Sequence, residues 1–316
     1  MAQQLFRFDF SKKTSAPLTS RTSAQATNQV GKTSVGTTDV MEMTNEVFNS
    51  YRSMIYKLCG IYFTDAKKYL LEGRIVRRLT KHKMRTFEEY LYFLQSPTGR
   101  NELNELFEAI TINETYFFRS PQQFDALAKT IIPELIEAKK GETNPTIKIW
   151  VAASSTGEEA YTIAIIIMET LKVKFPGVNF RILASDIDNS VIEQAKKGVY
   201  KEYAIRNIPK NLIDKYFKFD GTLYTLSDQI KKMVQFGNVN LYDAQKMRQI
   251  RDIDVIFCCN VLIYFDVASK QQVVSYLYDS LNKGGYLFIG YSESLHGLSK
   301  AFKLVHLSRA MAYKKD

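Results

Sequence analysis

From Thr44 to about Ile112 the apolar residues recur every three or four positions, as in Phe48, Tyr51, Ile55 and Leu58, then Leu70, Leu71, Ile75 and Leu79. That period draws an apolar stripe along each helix and predicts a small helical domain. Thr86 precedes Phe87, Glu88 and Glu89, a hydroxyl cap followed by acids in the first turn, and Pro97 closes that helix. After Pro121 the pattern changes to short β-rich runs: Ile147 to Ala153, Phe180 to Ser185, Asp254 to Cys259 and Tyr286 to Gly290. Helical patterns lie between them, near Glu158 to Val173, Asn189 to Lys197 and Val267 to Asn282. This alternation predicts an α/β domain with a parallel, helix-covered sheet. Phe302 to Tyr313 suits a closing antiparallel strand or hairpin. Between about 205 and 236, Asp220-Gly221 and the alternating Leu223, Tyr224, Thr225, Leu226 break the pattern and predict a small β insertion.

The expected layout is a tail over 1–40, a helical domain over 41–112 and the α/β domain over 113–316. Residues 11–38 are mostly Ser, Thr, Gln, Lys and Ala, too poor in apolar side chains to build a core, so disorder is expected there. Only Leu5, Phe6, Phe8 and Phe10, alternating with Arg7 and Asp9, differ. They read as a frayed terminus rather than a docking strand.

Composition narrows the class. With 316 residues, 45% hydrophobic, the chain can bury one large core and a satellite. No run approaches the ~20 apolar residues of a membrane span, and Met1 to Phe10 lacks a signal-peptide pattern. A cytoplasmic protein without membrane insertion is expected. Cys59, Cys258 and Cys259 form no C-x-x-C pair, and His82, His296 and His306 lack metal-ligand spacing, so no metal is expected. A net charge of +10 points to an acidic partner: nucleic acid, anionic lipid or an acidic protein face.

The chemistry gathers where strands end. In IKIWVAASSTGEEAY (Ile147–Tyr161) a strand runs into a small-residue turn and a helix opened by Glu158 and Glu159. Only Gly157 is present, so the dinucleotide fingerprint is incomplete. Acids at that helix start would repel a phosphate but suit a cationic ligand, with helix capping as the plainer role. The next strand ends in Ser185, Asp186, Ile187 and Asp188, which makes Asp186 a candidate for ribose hydroxyls and Asp188 a cap. A third ends at Asn260, followed by Tyr264 and Phe265; Cys258 and Cys259 read as core. In TINETYFFR (Thr111–Arg119), Arg119 suits a carboxylate, either a ligand's or a structural acid's.

Taken together, TINETYFFR, WVAASSTGEEAY, LASDID, FGNVNL, VIFCCNVLIYFD and GGYLFIGYSESL resemble the chemotaxis receptor glutamate O-methyltransferases, the CheR-type enzymes, over residues 44–314. The resemblance implies a Rossmann-like S-adenosylmethionine-dependent methyltransferase sheet, an N-terminal helical domain and a small antiparallel β subdomain. It also implies glutamate methyl ester formation on the cytoplasmic helical bundle of a chemotaxis receptor. Carried over by motif, the donor contacts are Asn113, Thr115, Arg119, Glu159, Asp186, Asn240, Leu241, Asn260 and Val261. Arg119 and Tyr264 are the candidates for orienting the acceptor carboxylate. Where this chain has Cys259 the family usually has arginine. The FKFDGTLYTLSDQ stretch is shorter than the glycine-rich loop of enzymes that tether to a receptor's C-terminal peptide, which argues against tethering.

Arg74, Arg77, Arg78 and Lys81 fall along one helical stripe. They are expected to face an acidic receptor surface, so that reversing Arg74 and Arg78 would spare stability; a merely solvated basic face is the alternative. Two rivals stand beside the glutamate methyl ester reading. A nucleic-acid methyltransferase fits the charge, but no nucleic-acid module and no N-P-P-[FYW] motif is present. A catalytically silent donor-binding sensor is the other.

Overall fold

The computed structural model describes residues 42–316; the predicted tail and the Leu5 to Phe10 alternation lie outside them. The helical domain consists of α1 (Asn45–Cys59), α2 (Lys68–His82), α3 (Phe87–Gln95) and α4 (Glu102–Ile110). Thr44 caps α1, its side chain accepting from Val47 N, and Gly60 closes that helix in the left-handed region at φ 73°. Thr86 and Glu89 form a reciprocal capping box on α3. The helical stripes meet inside: Tyr51, Ile55, Leu71, Ile75, Leu79, Tyr90 and Leu106 are fully buried in one cluster.

Ten strands follow: β1 (Thr146–Ala152), β2 (Asn179–Asp186), β3 (Val199–Tyr200), β4 (Phe217–Phe219), β5 (Tyr224–Leu226), β6 (Val234–Asn238), β7 (Ile253–Cys258), β8 (Leu281–Ile289), β9 (Phe302–His306) and β10 (Met311–Lys315). Seven make one sheet in the order β6-β2-β1-β7-β8-β10-β9. Its first five strands are parallel, and β10 pairs antiparallel with both β8 and β9, which bears out the α/β reading and the closing hairpin. The chain builds outward from β1 through β2 to β6, then crosses back to β7 on the other side of β1. Neighbouring strand ends diverge there and leave a crevice.

β3, β5 and β4 form the separate small antiparallel sheet. It lies over 199–226, earlier and shorter than the expected insertion at 205–236. Val234 to Phe236 belongs to β6, paired in parallel with β2 through Ile182↔Val234 and Ala184↔Phe236. The helix expected over Glu158 to Val173 is α-helical over Glu158–Ile166 and passes through a π turn at Ile167–Leu171. Among the described residues no helix is long and apolar enough to cross a membrane.

Candidate active site

Four strand ends and one connection converge on a cavity of about 260 Å³. Ala153 to Ser155 follow β1, Asp186 ends β2 and Ile187 follows it, Val239 to Leu241 follow β6, and Cys259 to Val261 follow β7; Ile110 to Tyr116 and Arg119 close one side. All ten residues expected at the donor and acceptor sites line it: Asn113, Thr115, Arg119, Glu159, Asp186, Asn240, Leu241, Asn260, Val261 and Tyr264.

Tight backbone turns make this convergence possible. Ala153 (φ 57°), Ser155 (φ 48°) and Asn260 (φ 63°) are left-handed non-glycine residues at the cavity wall, a conformation that surrounding contacts must hold. Gly157 at φ 92° opens the helix after β1, and a Cβ there would stand 3.0 Å from Ala195 Cβ and 3.1 Å from Phe236 Cζ. Only glycine combines that dihedral with that packing.

Asp186 is buried and fixed from behind. Its Oδ2 accepts from Ser155 N at 2.8 Å and its Oδ1 from Asp188 N at 3.0 Å. A carboxylate has about four acceptor positions, so this leaves lone pairs for a ligand. Burial raises its pKa against the pull of those two amides. Asp188 caps the following helix, accepting from Ser190 N and Val191 N, and also accepts from Asn113 Nδ2 at 3.1 Å. That bond ties the 113–119 connection to the end of β2.

Glu159 lines the cavity and is half-buried. Burial pushes its carboxyl up to about 7, opposed by Cys259 and by Arg119. Cys259 is half-buried, its Sγ 3.7 Å from Gln123 Oε1. Burial and the neighbouring Glu159 push its thiol well up, so it is a poor nucleophile. Cys258 is fully buried, as expected of core, whereas Cys59 and Cys259 reach the cavity wall.

Arg119 donates from Nη1 to Glu114 O at 2.9 Å and lies 5.7 Å from the Tyr116 ring centroid. Tyr264 sits on a short 3-10 turn (Leu262–Tyr264) with its hydroxyl 3.4 Å from Ile112 O. Burial raises its pKa, against Arg74 and Arg119 nearby. Asn240 is bonded within the protein at both ends of its amide: Nδ2 donates to Leu58 O at 2.7 Å, and Oδ1 accepts from Tyr242 N at 3.0 Å.

The basic stripe divides. Arg78 is held between Glu102 (2.6 Å) and Glu105 (3.1 Å), Lys81 pairs with Glu105 at 2.8 Å, and Arg74 Nη1 donates to Ile110 O. Glu102 is itself buried and accepts from Tyr90 Oη at 2.7 Å. The expectation that Arg78 is free for docking is therefore corrected: an acid 24 residues downstream neutralises it. Arg74, Arg77 and Arg78 still border a groove of about 700 Å³ between α2 and α4, which shares Thr111 and Ile112 with the cavity.

Sequence reasoning missed Glu293. Its Oε2 accepts from Gly290 N at 2.6 Å and Asn260 N at 2.9 Å, and its Oε1 from Ile263 N at 3.2 Å. The available signal was an acid just past the carboxyl end of β8. The helical domain's part in the wall was missed as well. Ile61 bridges to Phe265 and Tyr62 N donates to Tyr264 O at 2.9 Å.

The chain matches known proteins over nearly all of its described length. A family model for the CheR methyltransferase all-alpha domain covers residues 46–111, and one for the CheR methyltransferase SAM binding domain covers residues 113–311. The chain is 34% identical over 275 residues to chemotaxis protein methyltransferase 2 of Vibrio cholerae, covering 86% of this chain and 94% of that protein. It is 36% identical to the chemotaxis protein methyltransferase of Borreliella burgdorferi (81% and 91% covered) and 32% identical to that of Escherichia coli (84% and 91%).

Proposed function

The chain belongs to the CheR methyltransferase family, and from that premise we propose that it transfers a methyl group from S-adenosylmethionine to glutamate side chains of chemotaxis receptors in the cytoplasm, giving methyl esters. The observation that carries the reading is the convergence of Arg119, Glu159, Asp186 and Asn260 on one cavity at the carboxyl ends of parallel strands.

The residues present fit the donor. Glu159 is a desolvated acid of the cavity lining, suited to the donor's positive end. Asp186 keeps acceptor capacity for ribose hydroxyls, and Ile187, Val239 and Leu241 supply apolar wall for a purine. When bound, S-adenosylmethionine supplies a methyl group activated by a positively charged sulfur.

The chain's own work is positioning. A receptor glutamate is ionised at neutral pH, so no pocket residue has to remove a proton. Arg119 and Tyr264 orient the acceptor carboxylate, and the shaped cavity strips its water. The groove beside α2, with Arg74 and Arg77 on its border, suits an acidic helical surface arriving at the cavity mouth.

Incubation with radiolabelled donor tests this against a nucleic-acid substrate. Receptor-rich membranes should gain label that mild base releases as methanol, and total RNA should gain none. Base-stable label, or label in the RNA, would overturn the assignment.

A further inference from the structure

Glu293 lies outside the cavity lining, yet one carboxylate collects three backbone N–H groups from two segments, one of which lines the cavity. Gly290 N, at the end of β8, donates at 2.6 Å; Asn260 N and Ile263 N, from the turn after β7, donate at 2.9 and 3.2 Å. Two of these three belong to the segment that supplies Asn260, Val261, Ile263 and Tyr264 to the cavity wall. Asn260 itself is left-handed at φ 63°, a conformation that persists only where its surroundings hold it. The approach is so close that a Cβ on Gly290 would stand 2.8 Å from Asn260 Nδ2, 2.8 Å from Glu293 Oε2 and 2.9 Å from Asn260 N. No ordinary side chain fits there without moving the turn.

We propose that Glu293, admitted by Gly290, is a positioning residue that clamps the Asn260–Tyr264 turn so that its donor-facing and acceptor-facing groups stand in one working geometry. The clamp is electrostatically apt, because a carboxylate accepts several amide hydrogens at once and charge-assisted bonds are roughly twice as strong as neutral ones. Glutamine at 293 keeps the shape but offers a single acceptor oxygen and turns an NH₂ toward amide donors. The proposal rests on the donor-site reading above.

The test is calorimetric titration of S-adenosylhomocysteine into the full-length protein, the Glu293→Gln and Gly290→Ala variants, and Glu134→Gln as control. Glu134 is a hydrogen-bonded acid away from the cavity, on the helix Ile132–Ala138, accepting from Tyr286 Oη at 2.8 Å and Lys314 Nζ at 2.7 Å. We expect Glu293→Gln and Gly290→Ala to weaken binding at least tenfold with stoichiometry near one, and to lower kcat at saturating donor. Glu134→Gln should lower the melting temperature and leave the dissociation constant alone. An unchanged dissociation constant in folded Glu293→Gln, with loss confined to stability or active fraction, overturns the clamp. Failure of the unsubstituted protein to bind overturns the donor-site reading and the clamp with it, so the two failures are distinguishable. Should Gly290→Ala not fold, Glu293→Gln alone decides.

Discussion

Asp186 and Glu159 are both acids of the cavity wall, and their surroundings give them different properties. Asp186 takes two backbone amides from its own side of the wall, so its carboxylate is aimed before any ligand arrives. Asp186→Asn, which keeps the shape, is expected to weaken S-adenosylhomocysteine binding by roughly ten- to a hundredfold, the worth of a charge-assisted bond. Asp186→Ala should do at least as much; equal affinity in both, measured by calorimetry, would remove Asp186 from the donor site. Glu159 lacks such support, and burial lifts its carboxyl from 4.5 to about 7. Between those values the unfolded chain has released the proton while the folded protein holds it. Stability therefore falls as pH rises through that window, and the penalty is complete above about pH 7. Glu159→Gln should raise the melting temperature at pH 8, by on the order of 2 kcal/mol of stability once partial water contact is allowed for, and leave it unchanged near pH 4. The same variant should flatten the rise in S-adenosylhomocysteine affinity expected from pH 6 to 8, since the ligand's ammonium group prefers the ionised acid. Thermal melts and titrations across pH check both signs.

At the scale of elements, what the sequence discloses is what neighbours in the chain decide. Thr86 and Glu89 sit three residues apart, so their capping box is readable before folding, as is Asp188 at the head of its helix. The five-residue β6 carries Gly237 and Asn238 and follows the small sheet closely, so its apolar start reads as part of the insertion. Only its parallel pairing with β2, some fifty residues earlier, assigns it to the large sheet. Glu293 was invisible for the same reason, its partner Asn260 lying 33 residues away. The α2 stripe is the instructive case: helical spacing puts Arg74, Arg77, Arg78 and Lys81 together, but nothing local says that α4 brings Glu102 and Glu105 against them. Two variants separate docking from folding. Arg78→Glu sets a like charge beside buried Glu102 and should cost about 3 to 5 kcal/mol, the scale of breaking a buried pair. Arg77 is exposed, and Arg77→Glu should melt like wild type while slowing receptor methylation at low salt, the deficit shrinking as ionic strength rises. If Arg77→Glu methylates at the wild-type rate at every salt concentration, the solvated-face reading of the stripe stands.

On the scale of the molecule, the described residues 42–316 belong to one compact unit, and its helical and α/β parts are joined at the cavity itself. Leu58 O accepts from Asn240 Nδ2, Tyr62 N donates to Tyr264 O, and Tyr56 Oη stands 3.3 Å from both oxygens of Asp266, the residue that caps the helix after β7. Each of these bonds links the α1 region to a loop that carries cavity residues, so unfolding the helical domain would release Asn240 and the Tyr264 turn together. A ligand held by those loops should then be felt by both parts. Scanning calorimetry of the full-length protein is expected to give one cooperative transition for the two parts. S-adenosylhomocysteine at a hundred times its dissociation constant should move that whole transition upward, equivalent to about 2.7 kcal/mol. Circular dichroism at 222 nm, weighted toward the helices, and the fluorescence of Trp150, buried in β1, should report the same midpoint with and without ligand. Two transitions, of which only the one seen by Trp150 shifts with ligand, would mean that the helical domain merely rests against the catalytic sheet, and the joint would lose its place in donor binding.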